Sequence, residues 1–186
     1  MPSVGEILQQ LEPLLARSDE DPRRIVVMTC GLAGAGKSTL SRELVQAHPT
    51  FERISIDVVL HAKHGVYRVD YPAEKHEEFQ NQAAEECDAR LLELLIVEDH
   101  DIMVDQSFYR KADRDEVKRL VESHGARWIL VYLNATKEVL WKRIQDRRQG
   151  VRDADFAYDV TEQVLDRYLR GFDVPKGEGE IVIEVE

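Results

Sequence analysis

Ile25-Val-Val-Met-Thr-Cys30-Gly31-Leu-Ala-Gly34-Ala-Gly36-Lys37-Ser38-Thr39 is the stretch that decides how this chain is read. Ile25 to Cys30 is a continuous apolar run rich in β-branched side chains, the composition of a parallel strand covered on both faces. Gly31 to Gly36 is glycine-rich. Lys37 to Ala47 then reads as a helix with Leu40 and Leu44 inward, stopped at His48-Pro49. Two glycines bracketing four residues, followed by Lys and Ser, form a phosphate-binding pattern, and a strand before and a helix after are its required context. The glycines let the backbone curl so that several N–H groups point into one concavity. The helix that starts there adds its positive dipole end. Lys37 offers a point charge to β- and γ-phosphates, and the Ser38 hydroxyl is expected to bind Mg²⁺. The expected nucleotide-binding set is Gly31, Ala33, Gly34, Ala35, Gly36, Lys37, Ser38 and Thr39.

Working outward, strands and helices alternate. Val4 to Ala16 carries apolar residues at helical spacing, and the charged stretch around Pro22 reads as a loop. Ile54 to Ile56 reads as a short second strand delivering Asp57, and Asp57 to Tyr71 has no clean period. A long helix is predicted over Glu74 to Glu98, and a third strand over Asp101 to Asp105. A helix from Arg114 to His124 is closed by Gly125. A fourth strand spans Trp128 to Leu133, helices cover Thr136 to Gln149 and Tyr158 to Arg170, and Glu180 to Val185 is the last strand. This alternation predicts an α/β fold, a parallel sheet with helices on both faces. The expected organisation is one domain over 1–186, with an amino-terminal helix and loop at 1–24 and a lid at about 140–160.

With 186 residues, 43% hydrophobic and 33% charged, the chain can bury a core without staples. Two cysteines make neither a disulfide framework nor a metal cluster. No apolar run is long enough to cross a bilayer, no signal peptide is read, and a cytoplasmic location is expected. The net charge of -11 argues against a nucleic-acid partner and for a small or short polar one. A monomer or weak homodimer is expected.

Four further groups carry chemistry. Asp57 falls at the carboxyl edge of the sheet, where open α/β sheets bind ligands, and can accept the proton of an attacking hydroxyl. Asp105 ends the strand Ile102-Met103-Val104-Asp105 in a Walker B-like setting, where a role at Mg²⁺ is expected. Arg143 and Arg147 share one helix face, and an arginine lid there would neutralise charge on a transferring phosphoryl group. Arg68, Ser107 and Arg114 are candidates to meet the substrate. Asn134-Ala-Thr-Lys137 lacks the Asn-Lys-x-Asp order of a GTPase. Asp105 is followed by Gln106, where transport and ring ATPases carry a glutamate. A compact phosphotransferase fits better.

The ordered set of Gly31–Thr39, Ile56-Asp57, Val104-Asp105-Gln106-Ser107-Phe108 with Arg114, Leu140…Arg143…Arg147 and Phe172…Pro175 resembles the P-loop kinases grouped with phage polynucleotide kinase, zeta toxin, chloramphenicol phosphotransferase and gluconate kinase. The likeness runs from about Ile25 to the end. It implies a three-layer P-loop fold with a five-stranded parallel sheet of the nucleoside-monophosphate-kinase type and a helical arginine lid. It implies ATP and Mg²⁺, with Asp57 as the base that activates the substrate hydroxyl and Arg143 or Arg147 as lid arginine; the acidic charge makes a small-molecule hydroxyl the expected substrate. The chain departs from the group in two places. Asp57 is followed by Val-Val-Leu-His, with no nearby arginine, and Asp-Gln-Ser-Phe stands where polynucleotide kinases look more like Asp-Asn-Thr-Asn. Two other readings stay open: a slowly hydrolysing nucleotide switch acting through a protein partner, and a toxin or polynucleotide-end kinase.

Overall fold

Alternate residues of each central strand face opposite layers, and both layers are apolar, which is why the strands read as unbroken hydrophobic runs. The computed structural model describes residues 3–97, 100–148 and 160–186. Five strands, β1 Ile25–Cys30, β2 Phe51–Ser55, β3 Asp101–Asp105, β4 Arg127–Ala135 and β5 Glu180–Val185, form one all-parallel sheet in the order β2-β3-β1-β4-β5. The helices are α1 Val4–Leu15, α2 Lys37–Ala47, α3 Ile56–His64, α4 His76–Ile96, α5 Lys111–Ser123, α6 Lys137–Arg148 and α7 Glu162–Gly171, with a 3₁₀ turn at Ala73–Lys75. Ile25, Val27, Met103, Val131 and Ile183 pack with α1, α2, α6 and α7 on one face. Val26, Met28, Ile102, Val104 and Leu130 pack with α4 and α5 on the other.

Polar groups fix the amino-terminal edge of the sheet. Arg24 donates to the carbonyls of Leu94 and Leu95 at 2.7 and 2.5 Å, satisfying the orphan end of α4. Asp101 accepts from the Ile25 N–H at 2.8 Å and from Arg17. α1 begins with a capping box, in which the Glu6 N–H donates to the Ser3 hydroxyl and the Ser3 N–H to the Glu6 carboxylate.

Most predicted elements keep their place. The exception that matters follows β2. The strand lies at Phe51–Ser55, and the segment read as irregular opens with α3, so Asp57 sits in the first turn of a helix instead of on a strand end. α3 turns Ile56, Val59 and Leu60 inward while Val58 stays exposed, but at nine residues its stripe is too short to stand out to a periodicity reading. α7 begins at Glu162, later than Tyr158, because Thr161 caps it through the Val164 N–H. Of the predicted lid, 140–148 is the body of α6 and 149–159 lies outside the described residues.

Candidate active site

β1 lies between β3 and β4 in space, so the loop that leaves it opens at the point where the sheet's connections diverge, the usual ligand position in such folds. Two glycines show why the loop needs its sequence. Gly34 sits at φ +87°, and a Cβ there would stand 2.8 Å from the Leu140 carbonyl oxygen, so α6 closes against a bare backbone. Gly36 takes φ +103° as the residue preceding α2, a conformation that strains other residues. The Gly31 N–H donates to the Ser107 carbonyl at 3.1 Å, tying the start of the loop to the end of β3.

A cavity of about 610 Å³ opens above this edge, within the usual size for small-ligand sites. Gly34, Gly36, Lys37 and Ser38 form its floor, with Ala33 beside them. Lys37 Nζ donates to the Leu32 carbonyl at 3.1 Å. Burial pulls the Lys37 pKa down, and the negative charges of Asp105 and Asp57 oppose that fall. Asp57 and Asp105 both line the cavity, as do Ser107 and Arg147. The structure therefore brings together the loop, both aspartates, the serine and one lid arginine.

Several expected residues fall elsewhere. Gly31 and Ala35 are buried members of the loop and Thr39 is exposed, and none of the three lines the cavity. Arg143 does not line it either. Its guanidinium lies 3.4 Å from the carbonyls of Gly34 and Ala35 and from that of Glu186, so it props the loop from behind. The i, i+4 spacing put both arginines on one side of α6, but only Arg147, one turn further along, reaches the opening. Arg68 has φ +59°, is exposed, and lays its guanidinium 5.3 Å from the Tyr67 ring centroid, away from the cavity lining.

Arg114 is corrected most sharply. It is fully buried. Nε and Nη2 donate to Glu178 at 2.8 and 2.6 Å, and Nη1 donates to the Phe108 carbonyl at 2.8 Å. It serves the fold and is not placed to meet a ligand. Phe108, held by this bond, has φ +43°, a conformation that costs a bulky residue energy, and next to it Tyr109 lines the cavity. Asp105 also has a partner that the sequence hid: Arg53 donates Nε and Nη2 to Oδ2 at 3.1 and 2.5 Å. The parallel register pairs Arg53 with Met103, two residues before Asp105, and this adjacency exists only once β2 and β3 meet. The wall from α4 (His76, Glu77, Gln80) and that from α7 (Arg167, Tyr168) were also missed. Neither has a local motif.

The donor set fits a nucleotide with Mg²⁺. Ser38 and Asp105 offer hard oxygen atoms to one cavity beside a cationic loop, which suits an ion that keeps its waters and takes the rest of its ligands from phosphates. Among the described residues there is no group of three or more His, Cys, Asp or Glu that would form an all-protein metal cage.

Similar solved structures agree with the architecture. A provisionally assigned kinase from Chloroflexus aurantiacus j-10-fl superposes with a TM-score of 0.68 at 20% identity, covering 87% of this chain and 88% of that one. A gluconokinase from Sinorhizobium meliloti 1021 superposes with a TM-score of 0.55 at 19% identity, covering 88% and 83%. A chain of the PezAT toxin-antitoxin system of Streptococcus pneumoniae gives 0.56 at 15% identity, covering 91% and 72%. At these identities the likeness is one of fold. No curated protein matches the sequence. Residues 26–175 match the AAA domain family AAA_33, which spans the loop, both aspartates and α6, and the chain therefore belongs to that family of P-loop proteins.

Proposed function

We propose that this protein is a phosphotransferase that moves the γ-phosphoryl group of MgATP to a hydroxyl of a small molecule. The observation that carries the reading is the convergence of Lys37, Ser38, Asp57, Asp105 and Arg147 on one cavity at the carboxyl edge of the sheet. Phosphoryl transfer needs little covalent work from a protein and much positioning and charge stabilisation. A phosphate-binding floor, a carboxylate and an arginine in a single opening meet those needs.

The loop amides and Lys37 hold the β- and γ-phosphates. Arg147 faces the charge that spreads over the transferring oxygens. Asp57 takes the proton of the acceptor hydroxyl, whose oxygen bonds to the γ-phosphorus as the bond to the bridging oxygen breaks, leaving ADP. Ser38 and Asp105 would hold Mg²⁺, whose charge when bound offsets that of the phosphates. Arg53 fixes the rotamer of Asp105 through Oδ2. Similarity to a gluconokinase and a sugar kinase supports a small-molecule acceptor.

Replacing Asp57 by Asn tests the base directly. The variant keeps the shape of the side chain and loses its proton affinity. We expect kcat for phosphotransfer to fall about 10²- to 10⁴-fold with ATP affinity retained. Full turnover in the variant would remove Asp57 from the mechanism.

A further inference from the structure

The elements that line the cavity differ in charge, and the difference points to the chemistry of the acceptor. Its Lys and Arg side chains are Lys37 at the start of α2, Arg147 on α6 and Arg167 on α7. The lining drawn from α3, α4 and the end of β3 with the residues after it presents the carboxylates of Asp57, Glu77 and Asp105, the last held by Arg53, and the neutral polar groups of Gln80, Gln106 and Ser107, and among the described residues these elements contribute no Lys or Arg to it. Arg114 and Arg68, the cations that the sequence offered as substrate contacts, lie elsewhere, and Lys111 and Arg53 are paired: Arg114 is buried on Glu178, Lys111 pairs with Asp115, Arg53 binds Asp105, and Arg68 lies outside the lining.

We propose that the acceptor carries an ammonium group beside its hydroxyls, as in an amino sugar or amino alcohol, with Glu77 as the residue that reads the charge. This rests on the phosphotransferase reading above. Asp57 stands by the reacting hydroxyl. Glu77 lies in the first turn of α4, and Glu77 and Gln80, three residues apart, share a helix face, so a ligand in the cavity beside α4 meets both together. An anionic acceptor would face two carboxylates and the triphosphate with no cation on its own side, whereas an ammonium would find a charge-assisted partner. Burial lowers the His76 pKa, and its Nδ1 lies 3.0 Å from the Tyr71 hydroxyl. Tyr67 and Tyr71 pack around the ring and fix it at the wall. The net charge of -11 favours approach of a cation from solution.

The experiment uses two matched series that differ in charge: glucosamine, glucose and gluconate, and serinol, glycerol and glycerate. Each compound is added to the full chain with MgADP and the Tm is read, and each is offered with MgATP and phosphorylation is read. We expect the amino member of a series to raise the Tm most. We also expect Glu77→Gln, at an exposed position that does not threaten folding, to weaken its binding about tenfold or more, leaving MgADP binding unchanged. An equal response of all three members, no response from any, or preference for the acid overturns the proposal. The same holds if Glu77→Gln leaves the preference intact. If the amino compound binds and is not phosphorylated, the phosphotransferase reading falls and the charge assignment stands. If an acid is phosphorylated instead, the reverse holds.

Discussion

Removing the Arg114 guanidinium, as in Arg114→Met, should be among the most damaging single changes to this fold, although Arg114 touches no ligand. Its side chain is 0% exposed and that of Glu178 5%, and the two share a bidentate pair at 2.8 and 2.6 Å. Lys118 Nζ adds a bond to the Glu178 carbonyl at 2.9 Å. The Phe108 carbonyl would lose its Arg114 bond as well. Stranding one partner of a buried, hydrogen-bonded pair costs about 3 to 5 kcal/mol. In a chain of this length that corresponds to a fall of about 6 to 20 °C in Tm. Because the pair holds Phe108 at its positive φ beside Tyr109, ligand binding in the cavity should weaken as well. Scanning calorimetry of Arg114→Met, Glu178→Gln and Arg114→Met/Glu178→Leu is the assay. The double replacement should cost less than the sum of the singles, since neither Arg114 nor Glu178 is left without the other and Lys118 keeps its bond to the carbonyl of residue 178.

Acid titration adds a second readout. The Arg114 hydrogen bonds hold the Glu178 pKa below its ordinary value. The stability this supplies is complete above the unfolded pKa, near 4.5, and is lost as the pH falls through the lower folded value. Glu178→Gln should therefore unfold with a shallower acid slope below about pH 5. A Tm within 2 °C of wild type for either single variant, or an unchanged acid slope in Glu178→Gln, would refute the reasoning.

Other outcomes follow from the site and the core. Gly34→Ala should cost about 2 to 4 kcal/mol, from a non-glycine residue at positive φ and a Cβ 2.8 Å from the Leu140 oxygen, and should abolish nucleotide binding, as ligand-dependent Tm shifts would report. Burial pushes the thiol of Cys30 up to about 11 and that of Cys87 up to about 12. At pH 8 a thiol reagent should find no fast-reacting cysteine in the native protein and two after denaturation.

What the sequence revealed follows the range of the interactions. The phosphate loop is local: glycines, a lysine and a hydroxyl within nine residues, flanked by a strand and a helix that show their own periods. Strands β3 and β5 were equally plain, because burial on both faces or strict alternation leaves a mark. α3 leaves a weak one: Ile56, Val59 and Leu60 turn inward at helical spacing, but the helix is only nine residues long and Val58 interrupts the stripe, so the sequence puts Asp57 near the right edge on a strand instead of in a helix. Arg114 shows the other limit. A basic residue shortly after β3 reads as a ligand group, and its partner lies 64 residues away in a loop with no motif. Arg53 and Asp105, 52 residues apart, are joined only by the order of strands in the sheet. The split between Arg143 and Arg147 depends on where α6 closes over Gly34, which helical spacing alone does not reveal.

The most direct test of the central claim is phosphorus NMR of the protein with MgATP and the amino and neutral acceptors together. The account predicts that the γ-phosphate resonance is replaced by ADP and a phosphomonoester resonance that couples to acceptor protons, and that Lys37→Ala abolishes both. Conversion of ATP to ADP and inorganic phosphate alone, or a phosphomonoester made equally well by Lys37→Ala, would contradict it.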